Sequence, residues 1–216
     1  MDTSKKIVDK VHTLFSRYGI RSISMDDIAS DLRISKKTIY QFFSNKDSLV
    51  ENFVNTAIDD NIVRCKILLT KEYDAIIELY FLLVYVLELY NILNPAIVYD
   101  LEKNHASAYE KLNGHKDTFI HQTIKANIAR GVKSGLHRTD FNIEIIARFF
   151  LESLAIISNP TVFTPIHHQR KSTDELFVCL ISGIVTATGT DIVNAYKNQR
   201  DITLLGNYED QPFWDH

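Results

Sequence analysis

Apolar residues along this chain recur mostly at helical spacing. Ile7, Val11, Leu14 and Phe15, at separations of four, three and one, share one face of a helix over residues 4–18. Gly19 follows where a helix C-cap is expected. Ser24, with Asp27 three residues on, predicts the capped start of a short helix ending near Leu32. Ser35 is a good N-cap for a third helix ending near Phe43. Ser44, again with an acid (Asp47) three on, predicts the start of a long fourth helix reaching about Leu69. Further helices are predicted over 72–93, 95–112, 116–134, 143–158 and 173–197. No stretch alternates with period two between turn residues, so the fold class is all-α.

The second and third helices are separated by about two residues, which is the layout of a helix-turn-helix. Ile28, Leu32, Ile34, Ile39 and Phe43 are expected to pack this pair onto the first helix. Ser35, Lys36, Lys37, Tyr40 and Gln41 are left on the outward side of the third. Two lysines, a tyrosine and a glutamine suit contact with phosphates and base edges. Taken alone, Lys36 and Lys37 read as an ordinary solvated face; the capped helix-turn-helix around them reverses that reading. The expected organisation is a three-helix DNA-binding domain over 1–48, a larger helical regulatory and dimerisation domain over 49–200, and a C-terminal tail over 201–216, where Phe213 and Trp214 could dock.

Charge sharpens this picture. The net charge is −3 over 216 residues, which does not suggest a nucleic-acid binder. Residues 1–50, however, carry nine Lys/Arg and six Asp/Glu, a net of +3, on an acidic remainder. Two isolated cysteines, Cys65 and Cys179, suggest reduced core thiols. No signal peptide is expected, and the uncharged runs Ser153–Gln169 and Leu176–Thr190 fall short of a membrane span. A soluble cytoplasmic protein, without membrane partners, is the expectation.

The segment Ile7–Val50 resembles the N-terminal module of TetR/AcrR transcriptional regulators. The matching pieces are Leu14-Phe15, Tyr18-Gly19, Ser24, Ile28-Ala29, Ile34-Ser35-Lys36, Thr38-Ile39-Tyr40, Phe43, Lys46 and Leu49. They cover about a fifth of the chain. The turn Gly135-Leu136-His137-Arg138-Thr139-Asp140 is similar to the one before that family's dimerisation helices. The resemblance implies that Lys36 and Lys37 face base edges and that Thr38, Tyr40, Gln41 and Lys46 contact phosphates. Family members usually have Gly or Ala where Lys37 stands, often Gly where Arg33 stands, and commonly His where Phe42 stands. If the turn needs a left-handed backbone at Arg33, that residue costs about 1 kcal/mol relative to Gly.

The body is rich in aromatics. For any one ring, core packing is the commoner role, but the resemblance implies an effector cavity among them. Tyr80, Tyr85, Tyr99 and Tyr109 are the candidate ligand-binding residues, each offering a ring and a hydroxyl. Helices 143–158 and 173–197 are too apolar to face water throughout, and Gly183 and Ala187 are small residues four apart. Phe149, Phe150, Leu154, Leu180, Ile184 and Ala187 are therefore the candidate dimer contacts, and the resemblance favours a two-fold four-helix interface. Glu102-x-x-His105 is half of a di-iron motif with no second copy. Neither it nor His115, Asp117 and His121 carries a metal reading, and no cofactor is expected. No phosphate loop or nucleophile elbow points to an enzyme.

The leading reading is a homodimeric repressor that binds double-stranded operator DNA and is released by a small apolar or amphipathic effector. The alternatives are a DNA-binding regulator with a protein partner or no ligand, and, in a different class, an all-α enzyme or small-molecule carrier.

Overall fold

A computed structural model describes residues 3–159, 162 and 170–199. Among them there are eleven α-helices and one π turn, with no strand beyond an isolated bridge. The tail over 201–216 lies outside the described residues.

Three helices form the head: α1 (Thr3–Tyr18), α2 (Met25–Leu32) and α3 (Lys36–Tyr40). Their caps explain their ends. Ser24 Oγ accepts from the Asp27 amide at 3.2 Å, and Asp27 Oδ2 accepts from the Ser24 amide at 2.8 Å. This reciprocal box starts α2 as the sequence predicts. Gly19, at φ +81°, takes the left-handed position after α1. The long helix α4 (Lys46–Leu69) is capped one residue later than predicted, by Asn45 with Ser48 rather than Ser44 with Asp47. Ile7, Val11, Phe15, Ile28 and Ile39 pack with Leu49, Val50 and Phe53 of α4, so the head shares its core with the helix that leaves it.

Helix α5 (Ala75–Ile92) runs through the middle of the body and is buried on most sides. Its length and low charge would let it cross a membrane, but most of its surface is covered by other helices. Glu78 and Glu88 interrupt its apolar surface. Each is matched by an arginine: Arg130 Nη2 sits 2.8 Å from Glu78 Oε1, and Arg64 pairs with Glu88. Glu78 also accepts from Asn127 Nδ2 at 2.8 Å. Burial of Glu78 is thus tolerated because its carboxylate keeps a cation and a hydrogen bond, while the half-exposed Glu88 keeps a cation.

The predicted helix 95–112 is divided at His105, between α6 (Pro95–Asn104) and α7 (Ala106–His115). His105 leaves helical geometry at φ −136°, and its Nδ1 lies 2.9 Å from Asp47 Oδ1 in the first turn of α4. Conversely, α7 passes through a π turn (Lys116–Ile120) into α8 (His121–Lys133) without a stop. Asn113 and Gly114 therefore do not separate helices, as the sequence reading assumed.

After α9 (Ile143–Ile157), the predicted helix 173–197 proves to be two, α10 (Arg170–Ser182) and α11 (Ala187–Gln199). The cause is a clasp with the turn after α8. Arg138 N donates to Ile184 O at 2.7 Å, and Thr186 N to Leu136 O at 2.9 Å. Gly183 and Ala187 consequently do not form a small-residue step on one helix. Cys65 is buried, and its thiol is pushed up to about 12 by that burial, whereas Cys179 is exposed on α10 and is not a core thiol.

Burial also corrects the interface residues. Phe150, Leu154 and Ile184 lie in this chain's own core. Phe149 and Ala187 are exposed, and Leu180 is half-buried. The uncovered apolar stripe on α9 is instead Ile145, Phe149 and Ile156, exposed by 65%, 53% and 55%.

Candidate nucleic-acid interface

Helix α3 has only five residues, so its position depends on its neighbours. Ser35 caps it, its Oγ accepting from the Thr38 amide at 3.1 Å and lying 2.9 Å from Thr38 Oγ1. Ile39 and Phe43 are buried and anchor its inner side. It ends at Tyr40, and Phe43 lies beyond it in a turn.

The outer side carries Lys36, Lys37, Tyr40 and Gln41, all exposed, as the sequence predicts. The two lysines are not equivalent. Lys36 Nζ is 3.0 Å from both carboxylate oxygens of Asp26, in the first turn of α2. Lys37 makes no ion pair among the described residues and is held only by its backbone. Sequence reasoning missed Asp26; the acids in the first turn of α2 were the available signal. Phe42, which stands where the resembled family commonly has His, is exposed beside Tyr40 and Gln41.

Lys46, expected to contact a phosphate, also has a role within the head. Its half-buried ammonium donates to Ile20 O at 2.7 Å, bracing the α1–α2 turn against the start of α4. Burial lowers its pKa, while Asp100, Asp27 and Asp47 oppose that shift. The ammonium keeps two further donors, so this bond leaves it able to reach a phosphate as well.

Arg33 sits between α2 and α3 at φ 54°, ψ 40°, the left-handed conformation considered from the sequence. A non-glycine residue there costs about 1–2 kcal/mol, and glycine returns roughly half of that as lost chain entropy. Arg33→Gly should therefore stabilise the fold by about 0.5–1 kcal/mol, raising the melting temperature by a few degrees in a calorimetric scan. An unchanged or lower value would show that the turn carries no such strain.

The four candidate tyrosines of the body do not surround one cavity. Tyr80 is buried, and its hydroxyl donates to Asp174 Oδ1 at 3.0 Å. Tyr85 is buried in a separate cluster with Cys65, Leu68 and Leu82, with the Arg64 guanidinium 4.2 Å above its ring. Tyr99 is exposed on α6, and Tyr109 is half-buried against the main core. Only Tyr80 lines the apolar seam between α5, α9 and α10, with Leu83, Leu87, Leu154, Phe177 and Leu180 among its neighbours. The seam holds about 10 Å³ of free space, room for one water. Among the described residues, no three His, Cys, Asp or Glu side chains converge as a metal site would require.

Comparison with known proteins agrees with this geometry. Residues 7–53 match the family model for bacterial regulatory proteins of the tetR family. The chain is 26% identical over 161 residues to the HTH-type transcriptional repressor KstR2 of Rhodococcus jostii (strain RHA1), covering 70% of this chain and 79% of the relative. It is also 26% identical over 161 residues to IcaR, the negative transcriptional regulator of the biofilm operon icaADBC in Staphylococcus aureus (strain Newman), covering 68% and 80%. A putative transcriptional regulator from Saccharomonospora viridis, solved in complex with choline, shares the fold with a TM-score of 0.71 at 21% identity, over 85% of this chain and 97% of that one. A gamma-butyrolactone receptor (ArpA-like protein) does so with a TM-score of 0.69 at 17% identity, over 92% and 96%. Residues 7–53 thus form a capped helix-turn-helix that matches the tetR family model, and the helical body shares its fold with these structures, so the chain is similar to DNA-binding transcriptional regulators of the TetR/AcrR type.

Proposed function

We propose that the protein is a repressor that binds a near-palindromic operator as a homodimer. In this reading residues 1–48 are the DNA-binding domain and 49–200 the regulatory and dimerisation domain. The observation that carries it is the outer face of α3, where Lys37, Tyr40 and Gln41 stand free of the core while Ile39 and Phe43 fix the helix from behind. Lys37 reads a base edge, Ser35, Thr38, Tyr40 and Gln41 contact the backbone, and Lys36 joins once it leaves Asp26. Lys46 acts by bracing the head. Repression is supported by the names of KstR2 and IcaR.

The lysine roles separate by mutation. Lys37→Ala should weaken specific binding by about 1–3 kcal/mol and relax preference at one base pair. Asp26→Asn should strengthen binding to all sequences by about 1 kcal/mol, most at low salt, because it frees Lys36 and removes a charge that repels phosphate. Salt-titrated binding isotherms check both. If neither variant changes affinity, the proposed face is wrong.

Two copies are needed to span two half-sites. The uncovered stripe Ile145, Phe149 and Ile156 on α9 suits a two-fold contact, with Leu180 and Ala187 from the following helices. Phe149→Glu should weaken association by about 3 kcal/mol, since the new carboxylate would be buried unpaired. Sedimentation should show a wild-type dimer and a folded monomeric variant at micromolar concentration. A wild-type monomer would refute the interface.

Release by a small apolar or amphipathic molecule is the third part of the proposal. The choline complex and the butyrolactone receptor, both similar in fold, support it. The guest would part α5 from α9 and α10 at the seam that Tyr80 lines, and move α4 by preferring the opened arrangement. One observation favours a second reading, a regulator without a ligand: the seam is closed to about 10 Å³.

A further inference from the structure

One charged residue interrupts the uncovered stripe on α9. Ile145, Phe149, Glu152 and Ile156 follow one another at separations of four, three and four, so all four side chains share one helix face. Arg148 stands one turn before Glu152 on the edge of that face, and the two side chains are exposed by 44% and 49%. A carboxylate in the middle of an apolar stripe is costly to cover unless the covering surface brings a cation to it.

Within the chain Glu152 is poorly matched. Its Oε1 lies 3.5 Å from Arg148 Nη1, at the outer limit of a hydrogen bond. The same nitrogen sits 2.7 Å from Asp117 Oδ1 in the π turn, so Arg148 is held first by Asp117. Only Nη1 of that guanidinium is engaged among the described residues, and the other N–H donors of the planar fork remain for a second carboxylate.

The two charges are placed self-complementarily. The stripe from Ile145 to Ile156 has its midpoint between Phe150 and Leu151. A two-fold axis at that midpoint sets two copies of α9 antiparallel and brings Ile145 opposite the partner's Ile156. Arg148 and Glu152 lie on either side of the same midpoint and carry opposite signs. The axis therefore lays Arg148 beside the partner's Glu152, and Glu152 beside the partner's Arg148. A parallel arrangement would instead set each Glu152 against its own copy.

We propose that Arg148 and Glu152 form two reciprocal ion pairs between subunits and thereby fix an antiparallel register of α9 against α9. The inference rests on the homodimeric reading and adds which residues decide the geometry of the contact. The apolar stripe supplies contact area; the charge pair supplies direction and disfavours other registers. Asp117 is a positioning residue, holding the guanidinium from behind.

Charge exchange in the full chain tests it. Glu152→Arg alone sets arginine against arginine across the axis, and Arg148→Glu alone sets glutamate against glutamate. Each variant should self-associate more weakly than wild type by about tenfold or more. Mixed in equal amounts, the two variants regain opposite charges at both pairs. With a mass tag on one of them, native mass spectrometry should show the mixed dimer outweighing both self-dimers. Circular dichroism checks that each variant is folded. A second measurement spares Arg148, whose loss deprives Asp117 of its cation. Raising salt from about 0.05 to about 1 M should weaken the wild-type dimer several-fold and leave Glu152→Gln nearly unaffected. A wild-type monomer would remove the homodimer and this inference together. A dimer that persists unchanged in Glu152→Arg, a mixture that gains no mixed dimer over the self-dimers, or equal salt dependence of wild type and Glu152→Gln would overturn the inference and leave the homodimer standing.

Discussion

Lowering the pH from 7.5 to 5.0 should cost the folded chain about 4 kcal/mol. His12 and His115 are the cause. Burial lowers both pKa values to about 4. His12 packs edge-on against Phe53 with ring centroids 4.7 Å apart. His115 Nε2 donates to Asn61 Oδ1 at 3.0 Å, and Asn61 Nδ2 donates to Tyr85 O at 3.0 Å, a chain that joins α7 to α4 and α5. In the unfolded chain each imidazole takes its proton near pH 6.5. Between that pH and about 4 the unfolded state binds more protons, so stability rises with pH in this window and falls on acidification. At pH 5 each histidine contributes roughly 2 kcal/mol to the loss. His137, also lowered by burial, adds in the same direction. Urea denaturation at the two pH values measures the loss, and His115→Gln, which keeps a donor but cannot be protonated, should reduce it by about half. Equal stability at pH 7.5 and 5.0 would show that these rings are not buried neutral.

Adding a single methyl group at Gly131 or Gly189 should destabilise the fold by about 3 kcal/mol or more. A Cβ on Gly131 would lie 2.1 Å from Nδ1 of the buried His137 ring, which would have to shift. A Cβ on Gly189 would lie 2.3 Å from Leu136 O, a backbone atom already accepting from Thr186 N. Both glycines serve the clasp between the 134–140 turn and the 183–186 break, which positions α9, α10 and α11. Thermal melts should drop by about 10 °C for either alanine variant. Gly114→Ala is the control: nothing lies within 4 Å of its added Cβ, and the residue is helical, so it should stabilise by about 0.5–1 kcal/mol. A wild-type melting temperature for Gly189→Ala would show that the clasp is not a tight contact.

The head was legible in the sequence because its signals are local. Ser24 with Asp27, Ser35 before α3, and the apolar Ile28, Ile39 and Phe43 report caps and faces within one or two turns of themselves. The left-handed backbone at Arg33 was considered only because the resembled family often has Gly there; the arginine itself does not report it. The body was less so, because its breaks are made by distant residues. The split of α10 from α11 comes from hydrogen bonds of Ile184 and Thr186 to a turn some fifty residues earlier in the chain. His105 leaves its helix beside Asp47 of α4. Apolar spacing on α9 showed a doubly apolar helix but not which side the chain itself covers. Phe150 and Leu154 went to the core, and Ile145 and Ile156 to the surface. Within the interface, Lys46 and Lys36 look alike as exposed cations in a string of letters. Only the fold shows one tied to Ile20 O and the other to Asp26.

The central claim is that the outer face of α3, presented twice by a dimer, reads duplex DNA. Selection of bound duplexes from a random library tests it most directly, followed by salt-titrated binding of the recovered sequence. The account predicts enrichment of a near-palindrome with half-sites about one helical turn, roughly 10 base pairs, apart or a multiple of that. It also predicts a steep loss of affinity with salt and a relaxed preference at one position of each half-site for Lys37→Ala. Failure to enrich any sequence from the library, or an enriched site that Lys37→Ala binds with unchanged affinity and preference, would contradict it.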